Sequence, residues 1–113
     1  MNLIQSCNIT VMVTNLDTAI AFYTETLGLT LKNRFGNHWA DVEGPGITIG
    51  LHPTQKEINR GENLQIGFRV TDLEEAITAL ENRGIQFKKN ENDQVRIAFF
   101  NDPDNNTLYL VQP

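Results

Sequence analysis

Two stretches of the chain, 57 residues apart, show the same order of apolar and polar positions. Each begins with about five residues in which apolar and polar side chains alternate, which is the period of a β-strand. Each continues with apolar residues at helical spacing. These residues follow an N-cap, Asn15 in the first stretch and Asp72 in the second, and end at a glycine, Gly28 and Gly84 respectively. The pattern predicts a strand followed by a helix in both stretches.

The two stretches also share residues. Identical pairs at this offset are Ile9/Ile66, Val13/Val70, Thr14/Thr71, Leu16/Leu73, Ala19/Ala76 and Ile20/Ile77. These identities fall on the strand face that must be apolar and on the helix stripe, where structure demands them. The repeat predicts two copies of one supersecondary unit.

Three further short strands complete each predicted unit. We place them near Thr30–Arg34, His38–Val42 and Ile47–His52, and near Gln86–Lys88, Val95–Phe100 and Thr107–Val111. The expected fold is α+β: two tandem βαβββ modules whose curved mixed sheets surround a cavity, with each helix on an apolar sheet face. We expect a single domain over residues 1–113, with modules at about 1–53 and 64–113 and a polar linker over 54–63.

The strand faces opposite the predicted helices carry small or uncharged polar residues. An exposed sheet face is one explanation, but such faces usually carry Lys and Glu, whereas this composition suits the lining of a cavity. The candidate ligand-binding residues on this face are Asn8, Thr10, Met12, Thr48, Gly50, His52, Gln65, Gly67, Arg69 and Tyr109. Trp39 is a further candidate, since it either stacks on a ligand or packs as an ordinary aromatic.

Charge and composition narrow the possible partners. Nine Lys and Arg against fourteen Asp and Glu give a net charge of −5, which argues against nucleic acid and anionic membranes as partners. No apolar run is long enough to span a membrane, and no basic residues precede an apolar stretch as in a secretory signal. The single cysteine, Cys7, cannot form an intrachain disulfide, which favours a reducing, cytoplasmic setting. By strand parity Cys7 does not lie on the cavity face, so we expect it to be a small buried hydrophobe.

The segment VTNLDTAIAFYTETLGL (Val13–Leu29) resembles the V-x-D-L-x-x-A-x-x-F-Y-x-x-x-L-G-L opening of the vicinal oxygen chelate superfamily. That superfamily contains glyoxalase I, bleomycin-resistance proteins and extradiol dioxygenases. Val70–Ala76 and Phe100–Gln112 resemble its second-module opening and its D-P-D-G-N ending, with Asn105 in place of the glycine. The resemblance covers nearly the whole chain and implies the βαβββ fold, and bleomycin-resistance proteins of similar length suggest a homodimer.

The resemblance also assigns the superfamily's metal-ligand positions. In this chain they hold Asn8, Gln65, Tyr109 and, approximately, Gly50. None offers an imidazole or a carboxylate, which zinc, iron and manganese require, so we expect no metal and no cofactor. A displaced metal site at His38 and His52 with Asp41 or Glu43 is an alternative.

The residues therefore favour a metal-free protein that sequesters or carries a small organic molecule. On the candidate face, Arg69 would either neutralise an anionic group of the ligand or form an ion pair with a nearby carboxylate. One alternative function is a glyoxalase-like lyase or isomerase, or a dioxygenase-related enzyme, with a relocated or metal-independent site. Another is a small sensor or interaction module.

Overall fold

The computed structural model describes residues 3–58, 64–88 and 96–113. The chain divides into two compact units, Met1–Ile58 (the N-unit) and Asn59–Pro113 (the C-unit). The N-unit contains β1 (Ile9–Val13), α1 (Leu16–Ala21), a π-helical turn (Phe22–Thr26), β2 (Thr30–Phe35), β3 (Trp39–Gly44) and β4 (Ile47–Pro53). The C-unit contains β5 (Ile66–Arg69), α2 (Leu73–Asn82), β6 (Ile97–Asn101) and β7 (Thr107–Val111).

Each unit builds its own mixed sheet. In the N-unit the strand order is β1-β4-β3-β2, with β1 parallel to β4 and the other pairs antiparallel. In the C-unit the order is β5-β7-β6, with β5 parallel to β7 and β6 antiparallel to it. The first strand thus lies beside the last strand in both units. The predicted α+β class with mixed sheets is confirmed.

The prediction of a strand at Gln86–Lys88 was wrong for the residues described. Lys88 alone forms a bridge, to Phe99, with its backbone N–H donating to the Phe99 carbonyl at 2.8 Å. A strand needs successive ladder pairs, and this segment has one. The predicted turn at Asn90–Asp93 and the start of the strand predicted from Val95 lie outside the described residues.

The core of each unit lies between its helix and one sheet face. In the N-unit, α1 packs on β3 and β4, and in the C-unit α2 packs on β6. The fully buried side chains include Leu16, Tyr23, Val42, Ile49, Leu51, Phe100 and Leu108. The predicted placement of the helices on the apolar faces is confirmed. Ile9 and Leu64 are exceptions, 40% and 81% exposed, because they lie at or before the beginning of their strands.

The helix ends follow the sequence signals. The side chains of Asn15 and Asp72 accept hydrogen bonds from the backbone N–H groups of Thr18 and Glu75, at 2.9 and 3.1 Å. Gly28 and Gly84 follow the helices with φ of +84° and +95°. Both N-caps and both stops are confirmed. The π-helical turn that extends α1 was not predicted.

Cys7 is exposed, so the expectation of a buried cysteine was wrong. The residue precedes β1, so the strand alternation from which its burial was inferred does not reach it. In the parts of the chain that are described, no helix is long and apolar enough to cross a membrane.

Candidate functional site

The face of each sheet that is opposite its helix, called the open face here, carries most of the predicted site residues. In the N-unit, Gly50 pairs with Thr10 on one side and with Asp41 on the other. In the C-unit, Tyr109 pairs with Gly67 and with Phe99. Since the repeat offset of 57 residues superposes Thr10 on Gly67, Gly50 is the structural equivalent of Tyr109. The approximate correspondence drawn from the sequence therefore holds to the residue.

The indole of Trp39 lies across the backbone of Gly50 on the open face of the N-unit. A Cβ atom at position 50 would overlap Cζ2 of the indole and lie 3.0 Å from Cη2. The indole Nε1–H donates to Asp41 Oδ1 at 2.7 Å, and the His52 ring meets the indole edge to face with centroids 5.6 Å apart. Trp39 is half-buried, so part of its ring is accessible.

The C-unit places an aromatic ring over a glycine as well. The phenol ring of Tyr109 covers Gly67, where a Cβ would overlap Cζ and Cε2 of the ring. The ring of Phe99 lies beside that of Tyr109, with centroids 5.6 Å apart and planes inclined by 52°. Both open faces are therefore built around an aromatic side chain that is seated on a glycine backbone.

The remaining predicted residues divide into paired and isolated positions. Met12 pairs with His52 across β1 and β4, and the Nδ1 of that exposed histidine lies 2.9 Å from the carbonyl of Pro53. Thr48 pairs with Glu43. Asn8 and Gln65 are isolated and exposed, since they precede their strands. Arg69 pairs with Val111, is exposed, and forms no ion pair within the described residues.

Two open-face residues, Phe99 and Asn101, were missed by sequence reasoning, and Asp41 was considered only as a possible ligand of a displaced metal site. The alternation of buried Ala40 and Val42 in β3, and of buried Ala98 and Phe100 in β6, was the signal that could have found them. The side-chain oxygen Oδ1 of Asn101 is buried and has no hydrogen-bond partner among the described residues. Such an acceptor is available to a donor that the protein itself does not supply.

The positions that hold a metal in the superfamily do not fit one in this chain. Two carry neutral amides and one a phenol, none of which supplies the imidazole or carboxylate that transition metals require. At the fourth, Gly50, the indole of Trp39 fills the space of a ligand side chain. Within the described ranges no three His, Cys, Asp or Glu side chains are grouped to hold an ion, and His38 is exposed at the hairpin between β2 and β3.

Comparison with known proteins places these features in a family. Residues 6–110 match the model of the Glyoxalase/Bleomycin resistance protein/Dioxygenase superfamily. A lactoylglutathione lyase of Schizosaccharomyces pombe is 29% identical over an alignment that covers 89% of this chain, and the chain spans 45% of that protein's length.

Solved structures share the fold over nearly the whole chain. TnmS3, an antibiotic binding protein from Streptomyces sp. CB03234, is 26% identical with a TM-score of 0.75, and the match covers 99% of both chains. The fosfomycin resistance protein FosX of Listeria monocytogenes is 19% identical with a TM-score of 0.80, covering 99% of this chain and 93% of its own. The second likeness concerns the fold alone.

Proposed function

Because the chain belongs to the Glyoxalase/Bleomycin resistance protein/Dioxygenase superfamily, we propose that it binds a small organic molecule without a transition metal and sequesters or carries it. The observation that carries the proposal is the aromatic ring seated on a glycine on each open face. A ring held against a backbone offers a rigid apolar surface, and little conformational entropy is lost when a ligand binds it. The likeness to an antibiotic binding protein supports the same function.

On each open face, the ligand contacts that we propose combine the aromatic ring with the polar groups beside it. The predicted set comprises Asn8, Thr10, Met12, Thr48, Gly50, His52, Gln65, Gly67, Arg69 and Tyr109, with Trp39. To these we add Asp41, Phe99 and Asn101, which the strand registers bring onto the open faces. The buried oxygen of Asn101 would accept a hydrogen bond from the ligand.

The test is a search for a bound molecule followed by titration. Native mass spectrometry of the purified protein should show an organic adduct that leaves under denaturing conditions. Thermal shift and calorimetry with bleomycin, fosfomycin and a series of planar aromatic antibiotics should then find a ligand with a Kd of about 1 µM or tighter. An Asn101→Ala variant should bind that ligand more weakly, whereas Asn82→Ala, at an exposed position on α2, should bind it as the wild type does. Absence of both adduct and binding would overturn the proposal.

A lyase is the second candidate, because the lactoylglutathione lyase relative covers most of this chain. Turnover of lactoylglutathione, followed through its thioester absorbance with and without added Zn²⁺ or Ni²⁺, distinguishes the two. Multiple turnovers that are lost on replacing Tyr109 by Phe would favour the enzyme. Saturable binding without turnover would favour the carrier.

We further propose a cytoplasmic homodimer. Among the described residues, seven large apolar side chains are exposed in the monomer, which is costly in water and typical of an interaction surface. They are Leu3, Ile4, Ile9, Met12, Leu31, Phe35 and Leu64. Four of them lie on β1 and β2, the two edge strands of the N-unit sheet, where a second chain can add to unpaired backbone. Sedimentation at micromolar concentration should give a dimer mass, and a monomer would overturn this assignment.

A further inference from the structure

The charges around Trp39 distinguish the N-unit open face from that of the C-unit. Asp41 lies beside the indole and accepts its Nε1–H at 2.7 Å. Glu43, two residues further along β3, is paired with Lys32 at 3.3 Å. No cation pairs with Asp41 in the part of the chain that is described. This face therefore carries an unneutralised carboxylate next to an accessible aromatic ring.

We propose that the Trp39 platform, meaning the indole with Gly50 beneath it and Asp41 beside it, binds a planar organic cation. This inference rests on the proposed function and names the chemical class of ligand for it. The face of an indole ring is electron-rich and attracts cations more strongly than any other side-chain ring. A carboxylate at the ring edge adds to that attraction and repels anions.

The platform is already in its binding geometry. Gly50 lets the ring lie against the sheet, the hydrogen bond to Asp41 fixes its rotation, and the His52 ring packs beside it at nearly a right angle. Little conformational entropy is therefore lost when a ligand stacks on the accessible part of the ring. A planar ligand matches the flat ring, and a positive charge matches the carboxylate.

Arg69, the guanidinium among the predicted site residues, is not part of this platform. It lies in the C-unit at the exposed end of β5, paired with Val111, and it belongs to a different sheet from Trp39. The acidic side chains Asp41 and Glu43 lie on the N-unit open face, whereas Arg69 belongs to the C-unit sheet.

The single tryptophan makes the test direct, because a ¹H–¹⁵N spectrum contains one indole cross-peak from the folded chain. The protein is titrated with N-methylquinolinium, with 2-naphthalenesulfonate of similar shape and opposite charge, and with tetramethylammonium, a cation without a ring. We expect N-methylquinolinium to shift the indole cross-peak saturably. The other two probes should bind at least about tenfold more weakly.

Substitutions separate the ring from the charge. Asp41→Asn keeps an oxygen acceptor for Nε1–H but removes the charge. It should therefore lower the affinity for N-methylquinolinium by about tenfold and leave the affinity for 2-naphthalenesulfonate unchanged or higher. Glu57→Gln, at an exposed position in the same unit, makes the same change in net charge and should alter neither probe. Gly50→Ala should displace the ring and abolish the preference for planar probes.

Three results would overturn the inference. The first is a 2-naphthalenesulfonate affinity equal to or above that of N-methylquinolinium, and the second is unchanged cation binding in Asp41→Asn. If no probe shifts the indole, Trp39 is an ordinary packed aromatic and the inference is also wrong. The proposed function would survive each of these results, provided that the mass spectrometry and the antibiotic titrations find a ligand elsewhere on the protein.

Discussion

Tyr109 and Gly67 are cross-strand partners on β7 and β5, and the phenol ring of the first covers the backbone of the second. The ring occupies the volume in which any side chain at position 67 would stand. The position that the family resemblance assigns to a metal-binding carboxylate thus carries an aromatic ring in this chain. Its place on the sheet is possible only because its neighbour has no side chain.

Gly67→Ala should destabilise the protein because its Cβ would overlap the phenol ring. Overpacking of this kind costs about 1–3 kcal/mol. Tyr109→Ala in the same chain should remove the conflict, so the two substitutions should be strongly non-additive in a double-mutant cycle. Urea denaturation of the four proteins measures the coupling, and a value near zero would show that the ring moves away at no cost.

The turn between β6 and β7 should depend on Asp102. Its carboxylate is buried and accepts hydrogen bonds from the backbone N–H groups of Asp104 and Asn106, at 2.9 and 2.8 Å, and from Asn106 Nδ2 at 2.8 Å. Asp102→Ala should therefore lower the unfolding free energy by about 3 kcal/mol. Asn106→Ala removes the hydrogen bond from Nδ2 and keeps the one from the backbone N–H of residue 106, so it should lower the unfolding free energy by about 1 kcal/mol. Equal losses in the two variants would contradict the central role of the carboxylate.

Asn105 has a φ of +64°, the left-handed conformation that asparagine tolerates and β-branched residues avoid. Asn105→Val should destabilise the protein by about 1–3 kcal/mol. Asn105→Gly should leave the stability within about 1 kcal/mol, because glycine adopts this conformation without strain. Thermal unfolding of both variants is the measurement. If Asn105→Val is as stable as the wild type, the turn rearranges to accommodate the valine.

Transition metals should not bind at the superfamily position. Protein purified without chelator should contain Zn, Fe, Ni and Mn at well below one equivalent by elemental analysis, since amides and a phenol are poor ligands at neutral pH. Introducing Gln65→His together with Tyr109→Glu should raise the zinc content only slightly, because no supporting hydrogen bonds orient the new ligands. A near-stoichiometric metal in the wild type that is lost in Gln65→Ala would contradict the metal-free assignment.

The sequence predicted most of the fold because local signals and packing agree in this chain. Asn15 and Asp72 begin the helices and Gly28 and Gly84 follow them because caps and stops depend on a few neighbouring residues. The exposure of Cys7 could not be predicted in this way, since it depends on whether β1 extends far enough to include that residue. Strand ends are set by partners, which local patterns do not reveal.

Less of the candidate site than of the fold could be predicted from the sequence. The parity of β1, β4 and β5 placed Thr10, Gly50 and Gly67 on the correct face. That parity does not show that a ring from another strand covers each glycine, because this depends on register and on rotamers. For the same reason the hydrogen bond between Trp39 and Asp41 could not be foreseen, although the two residues are close in sequence.

The parallel pairing of the first and last strands has a consequence for how each unit folds. Ile9 pairs with Ile49 and Ile66 with Leu108, so each closing contact joins residues roughly forty positions apart. The hairpins within a unit form from local contacts. The pairing of the first and last strands is non-local, so conformational entropy must be lost in closing a long loop before the new contacts stabilise the sheet. We therefore expect the entry strand to dock last in each unit. A polypeptide released early from synthesis would be left with an uncovered strand edge, the feature that promotes aggregation.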